Sequence, residues 1–91
     1  MFKNNYFKKE LCIHHKGMIP NVAYYVVSGS LTLLKKKGQI VDVQSGEIVG
    51  LEEIWDNKPL NYNIYTKPGT VLFYLDKTIL SNIEQALKLA S

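Results

Sequence analysis

Short segments of alternating or β-branched side chains, separated by glycine turns, restrict the folds open to this 91-residue chain more than any other feature. Clear examples are residues 22–28 (VAYYVVS), 30–36 (SLTLLKK) and 39–44 (QIVDVQ), and a glycine lies in the turn that follows each of them. Residues of this kind suit a pleated, half-buried surface. Strands spaced by about 8–12 residues with glycine turns between them indicate an antiparallel sandwich or barrel.

The hydrophobic period changes after Gly50. The sequence LEEIWDN places Leu51, Ile54 and Trp55 at positions i, i+3 and i+4, which predicts one short helical turn. Pro59 is expected to end this turn, because its ring removes a donor and disfavours helical geometry in the residue before it.

Two further strands and a terminal helix are predicted after the proline. Residues 60–66 (LNYNIYT) and 70–76 (TVLFYLD) resume the strand pattern, with a Pro-Gly turn between them. Residues 76–91 are predicted to form an amphipathic helix, capped by Asp76 or by a capping box of Ser81 and Glu84. Its apolar stripe comprises Ile79, Leu80, Ile83, Ala86, Leu87 and Ala90.

Composition indicates one small domain over residues 1–91, with residues 1–8 expected to be flexible. The hydrophobic fraction of 46% is that of an ordinary globular core. The longest apolar runs are far shorter than the roughly 18 residues of a membrane span, so no membrane association is expected. Cys12 is the single cysteine and no secretory leader is recognisable, which favours a cytoplasmic protein.

The basic residues are all of one kind. The eleven basic residues are lysines, the chain has no arginine, and the formal net charge is +3. No guanidinium is therefore available to bind a phosphate or carboxylate through two parallel hydrogen bonds. The run Lys35-Lys36-Lys37 is interpreted as a solvated hairpin edge, so direct binding of nucleic acid is not expected.

Two long segments together resemble the cyclic-nucleotide-binding domain family. They are YYVVSGSLTLLKKKGQIVDVQSGEIVG at residues 24–50 and DNKPLNYNIYTKPGTVLFYLDKTIL at residues 56–80. The similarity covers roughly residues 17–80, and the Gly-Leu-Glu-Glu sequence resembles Crp/Fnr-type regulators. The resemblance implies a mainly β fold: an antiparallel β-roll of jelly-roll type with about seven to eight short strands, a short internal helical turn and a C-terminal amphipathic helix.

The same resemblance implies a ligand site, and this chain departs from the family pattern there. In members that bind a cyclic nucleotide, a glutamate after the cassette glycine binds the ribose hydroxyl, and an arginine pairs with the phosphate. After Gly50 this chain has Leu51, with Glu52 one residue late. Leu60 stands at the arginine position, and Asn61 replaces the small hydroxyl residue that follows. These five residues form a degenerate ligand site, and cAMP or cGMP is not expected to bind in the usual way.

Residues 9–14 (KELCIH) and His15 contain the candidate metal ligands. Adjacent strand residues point to opposite faces, so His14 and His15 cannot both bind one ion from a regular strand. Leu11 and Ile13 are the expected core-directed pair, which leaves the histidines on the surface. No metal site, cofactor or catalytic residue is therefore predicted.

The expected function is that of a non-catalytic regulatory or sensor module. It would act in signal response or transcription regulation through a small-molecule ligand or a protein contact. Two alternatives stay open: a true cyclic-nucleotide-binding domain with an atypical cassette, and a small cupin-type metal enzyme. By resemblance, the C-terminal helix is a candidate surface for forming a homodimer.

Overall fold

A computed structural model describes residues 4–90. These residues form eight strands, a single 3₁₀ turn at Lys36–Gly38 and two α-helices. The strands are β1 (Asn4–Phe7), β2 (Cys12–His14), β3 (Ala23–Ser28), β4 (Ser30–Leu34), β5 (Ile40–Gln44), β6 (Ile48–Val49), β7 (Asn63–Thr66) and β8 (Thr70–Leu75). The helices are α1 (Leu51–Asp56) and α2 (Lys77–Ala90).

The strands form two four-stranded sheets. The first sheet has the order β1-β8-β3-β6 and the second has the order β2-β7-β4-β5. Every strand pair is antiparallel. The predicted mainly β fold, with an internal helical turn and a C-terminal helix, is therefore confirmed.

The hydrophobic core lies between the two sheets. In β4, Leu31 and Leu33 point inward and are buried, whereas the residues beside them are partly exposed, as the sequence alternation predicts. The buried cluster comprises Tyr24, Val26, Leu31, Leu33, Val43, Val49, Leu60, Ile64 and Leu72. Both sheets and the segment after α1 contribute to it, so this core positions α1 against the roll.

Among the side chains of helix α2 that the structure describes, through residue 88, those of its first turn pack on the roll. The Ile79 backbone N–H donates to Asp76 Oδ1 at 2.8 Å, so Asp76 is the N-cap. Leu80 is buried and Ile79 is partly buried, in a second cluster that also contains Leu75. Further along the predicted stripe, Ile83 is 41% exposed and Leu87 is 66% exposed.

One expectation about the N-terminal region needs correction. Within residues 1–8, Asn4–Phe7 form β1 and pair with β8, residues 1–3 lie outside the described part of the chain, and the flexibility of this segment stays a prediction. His14 was expected on the surface, but it is only 7% exposed and its Nε2 lies 2.9 Å from the Met18 carbonyl oxygen. The pairing of β2 with β7 shifts between Cys12 and His14, and such a bulge changes the face to which side chains point.

Gly29 lies in a tight contact between the two sheets. Its φ is +81°, and a Cβ there would come within 2.8 Å of the Thr70 Cα and Oγ1. Thr70 cannot move away easily, because it is fully buried and its hydroxyl donates to the Ser30 carbonyl oxygen at 2.8 Å. Gly29 is therefore required both by its backbone conformation and by the space around it.

Replacing this glycine is expected to destabilise the protein far more than replacing one in open space. Gly29→Ala should lower the free energy of unfolding by about 3 kcal/mol, because strain at positive φ adds to the steric clash. Gly38→Ala is the matched control, since Gly38 also has positive φ but a Cβ would meet nothing within 4 Å. Gly38→Ala should lower the free energy of unfolding by about 1 kcal/mol. Equal losses for the two variants in urea denaturation would contradict the prediction.

The buried Tyr24 predicts a loss of stability at high pH. Burial, and secondly the charge of Tyr74, raises the pKa of Tyr24 to about 12 from its ordinary value of 10.0. Below pH 10 the proton is bound in both states, so stability is undiminished. Between pH 10 and about 12 only the unfolded chain ionises readily, so the free energy of unfolding falls.

Tyr24→Phe should make this alkaline fall smaller, because one of the responsible hydroxyls is removed. Urea denaturation at pH values from about 9 to about 12 measures the effect. Tyr6→Phe is the control, because it removes the same group from a ring that is exposed. The prediction is wrong if Tyr24→Phe follows the wild-type pH dependence.

Candidate functional site

Helix α1 lies against the roll, and the residue before it, Gly50, has a left-handed backbone conformation that favours glycine. Gly50 has φ +87°, is buried, and accepts the first helical hydrogen bond from the Ile54 N–H at 3.0 Å. Ile54 is the buried residue of the helix and packs with Ala23 of β3. This contact holds α1 across one end of the first sheet.

The helix ends before the proline that was expected to end it. Asn57 adopts a left-handed conformation, φ 56°, and its N–H donates to the Glu53 carbonyl oxygen. An αL residue with this hydrogen bond is a common helix C-terminus. Pro59 therefore follows the stop instead of causing it.

Leu60, which stands at the family's arginine position, is part of the core. Its side chain is 0% exposed and packs in the cluster between the sheets. Two backbone hydrogen bonds fix it there: the Gly17 N–H donates to the Leu60 carbonyl oxygen at 2.8 Å, and the Leu60 N–H donates to the Met18 carbonyl oxygen at 3.1 Å. Asn61, the next residue, is exposed.

A cavity of about 370 Å³ lies between the second sheet and the segment from β6 into α1. Leu33 of β4 with Val41 and Val43 of β5 form one apolar wall. The opposite wall is formed by residues 47–53, and Tyr62 also lines the cavity. Gly50, Leu51 and Glu52 of the predicted site therefore meet here, whereas Leu60 and Asn61 lie outside the lining.

The lining of this cavity is acidic. Glu47, Glu52 and Glu53 all contribute to it, and none of the described residues that line it is lysine or histidine. Glu47 also accepts a hydrogen bond from the Gln44 backbone N–H at 3.3 Å, so its carboxylate is partly engaged in the turn. Glu52 and Glu53 lie in the first turn of α1, where negative side chains interact favourably with the helix dipole.

Tyr62 reports the electrostatic character of the site. Burial, and secondly the negative charge of Glu53, raises the pKa of its hydroxyl to about 12. The Lys35 Nζ lies 5.5 Å from the centroid of the Tyr62 ring, within the range of a cation–π contact. Tyr62 therefore lies between the carboxylate of Glu53, which lines the cavity, and the ammonium group of Lys35, the residue that follows β4.

Sequence reasoning did not single out Glu47, Glu53 or Tyr62 as site residues. A signal for Tyr62 was present, because the alternation of residues 60–66 places Leu60, Tyr62 and Ile64 on one face. For the two glutamates, the sequence shows only that they lie three residues before and three residues after Gly50. Their shared orientation depends on how α1 packs on β3.

The histidines lie elsewhere and do not form a cluster of ligands. The Cys12 Sγ lies 3.7 Å from the His15 Nδ1, whereas His14 is buried and directed to Met18. Over residues 4–90, no group of three or more His, Cys, Asp or Glu side chains is arranged to hold a metal ion. In the same part of the chain, no helix is long and apolar enough to cross a membrane.

Comparison with solved structures identifies several with the same fold. The Thermus thermophilus catabolite activator protein superposes with a TM-score of 0.82 at 20% identity over 97% of this chain, which corresponds to 44% of that protein. The N-terminal domain of a transcriptional regulator from Streptomyces coelicolor A3(2) gives 0.77 at 18% identity, covering 98% of this chain and 67% of that one. The regulatory subunit of a cAMP-independent protein kinase A from Trypanosoma brucei gives 0.75 at 20% identity, covering 99% and 35%.

The sequence itself gives a family assignment. No curated protein sequence matches this chain. The family described as the cyclic nucleotide-binding domain matches residues 4–86, which is most of the chain and confirms the resemblance found in the sequence. The chain belongs to the cyclic nucleotide-binding domain family.

Proposed function

We propose that this chain is a non-catalytic regulatory module that does not bind cAMP or cGMP in the usual way. It responds to another small molecule or contacts a protein, in signal response or transcription regulation, and acts in the cytoplasm. The observation that carries this proposal is the charge of the cavity: three carboxylates line it, and no basic side chain lines it among the described residues. The family to which the chain belongs supplies the regulatory role by analogy.

The energetics of a phosphate support this reading. A cyclic nucleotide carries one negative charge, and placing it without a partner in a partly dry site costs about 3–5 kcal/mol relative to a paired charge. This cost corresponds to binding weaker by roughly a hundredfold to several thousandfold. The N-terminus of α1 offsets only about 0.3–2 kcal/mol of it, and Glu52 and Glu53 already occupy that end of the helix.

Replacing Leu60 by arginine would not simply restore the positive charge that the family has at this position. Its side chain is fully buried among apolar residues, so an arginine there would need space and hydrogen-bond partners within the core. The phosphate-binding role is therefore replaced by a packing role at this position. Leu51 differs, because it lines the cavity and is 38% exposed.

One of the similar structures supports regulation without the usual ligand. The Trypanosoma brucei kinase regulatory subunit is described as cAMP-independent, and it shares this fold at 20% identity. A regulator that carries this fold therefore need not respond to cAMP. By analogy, the present chain is proposed to keep the scaffold and to respond to a different signal.

Isothermal titration calorimetry with cAMP and cGMP tests the proposal. At millimolar ligand we expect no saturable binding of either nucleotide, because three carboxylates and no basic side chain line the cavity among the described residues. Adenosine is the matched control, since it keeps the base and ribose but lacks the phosphate; it should bind no more weakly than cAMP. Micromolar binding of cAMP or cGMP would overturn the proposal and favour a true cyclic-nucleotide-binding domain with an atypical cassette.

A second contact surface is supported by the far half of α2. Ile83 and Leu87 lie on the stripe that continues from the packed first turn, yet both are exposed. Side chains at spacing i, i+4 form one face of a helix, and two such faces can bury each other. The proposed occupant is a second copy of this chain, in a homodimer formed through α2.

Sedimentation equilibrium of the wild type and of two α2 variants tests this dimer. We expect concentration-dependent dimerisation that Leu87→Lys weakens by about tenfold or more, because a charge would enter an apolar contact. Gln85→Lys makes a comparable change at an exposed position of the same helix, outside the stripe, and should have a smaller effect. A wild-type chain that stays monomeric at millimolar concentration would refute the homodimer.

A further inference from the structure

The cavity beside α1 combines an apolar wall with a rim of carboxylates. Resting on the proposed function, in which this cavity accepts a ligand other than a cyclic nucleotide, we propose that it selects an organic cation: a primary amine on a compact apolar body. The ammonium group lies beside Glu53 and Tyr62, and the apolar body packs against Val41, Val43 and Leu51.

The size and lining of the cavity suit such a molecule. Its volume of about 370 Å³ lies within the range of about 300–1,000 Å³ that is typical of small-molecule sites. Leu33, Val43 and Val49 present apolar atoms to it from three different strands and are themselves nearly buried. An apolar ligand surface placed against them would leave water, which favours binding.

Charge decides which class of ligand the cavity prefers. The chain as a whole is positive, at +3, yet three of its eight acidic residues line this one cavity, and none of the described lining residues is basic. A ligand carboxylate or phosphate would therefore be repelled, and a neutral ligand would gain a hydrogen bond to Glu53 without the attraction between opposite charges. An ammonium group would gain from a carboxylate in a setting less screened than bulk water.

The Tyr62 ring supplies a second contact for a cation. Lys35 already places its ammonium group 5.5 Å from the ring centroid, so the ring is in an environment that accepts a positive charge. Lys35 is exposed and belongs to the same chain, so it competes with a ligand cation for this electrostatic environment. Removing its charge is therefore expected to strengthen the binding of an amine, whereas removing the charge of Glu53 weakens it.

Three probes that share a phenylethyl body and differ in the charge of the group at its end test the proposal: 2-phenylethylamine, 2-phenylethanol and 3-phenylpropionate. Titration of the ¹⁵N-labelled protein, followed by amide chemical shifts, gives both affinity and location. We expect the amine to bind about tenfold more tightly than the alcohol, and the carboxylate to bind most weakly. The largest shifts should fall on the amides of residues 47–53 and on Tyr62.

Variants separate the role of Glu53 from a general effect of charge. Glu53→Gln keeps the shape of the side chain and should reduce the preference for the amine over the alcohol to about threefold or less. Asp56→Asn is the matched control, because it removes the same charge from the same helix at a residue that does not line the cavity. Lys35→Gln should have the opposite effect and increase the preference for the amine over the alcohol.

Several outcomes would overturn the inference: equal binding of amine and carboxylate, shifts located away from the cavity, no binding of any probe, or equal effects of Glu53→Gln and Asp56→Asn. The cyclic-nucleotide titration gives a separate answer. If neither the probes nor cAMP and cGMP bind, the amine site fails and the proposed function stands. If a cyclic nucleotide binds at micromolar concentration, the proposed function itself fails.

Discussion

Packing between the two antiparallel sheets forms the core on which the two helices of this chain are placed. The inward-facing residues of β3, β4 and β8 form one continuous core, and Leu60 from the segment after α1 completes it. Burial of a leucine of this size contributes about 2–3 kcal/mol, so a small domain depends on each such contact. Helix α1 and the cavity beside it are placed where they are because Ile54 packs on β3 and Leu60 is held in the core.

The same packing occupies one position of the degenerate ligand site, Leu60. The position at which cyclic-nucleotide-binding relatives are expected to present a charged partner is here used for packing, and the hydrogen bonds from Gly17 and to Met18 hold its backbone in place. A buried charge requires a partner, whereas a buried leucine does not. The scaffold thus keeps its glycines and its short helix while a leucine fills this position in the core.

Much of the fold was predictable because its signals are local. The period-2 pattern of β4 predicts its two buried leucines, and the Asp76 side chain predicts the start of α2. Other features were not predictable, because they depend on pairing between distant residues. The bulge between β2 and β7 turns His14 inward, and the pairing of β1 with β8 orders a segment whose own sequence has little strand character.

The sequence by itself determined strands β3, β4, β5, β7 and β8, the turns, the terminal helix and the absence of arginine, since each follows from residue identity or from a repeat within a few residues. It also indicated the family, through the order of its motifs. Only the tertiary structure decided that Leu60 belongs to the core while Leu51 lines a cavity, and that Glu47, Glu53 and Tyr62 join Glu52 there. The physical reason is that a side chain's neighbours across the roll depend on how the two sheets and α1 pack together, which no local pattern encodes.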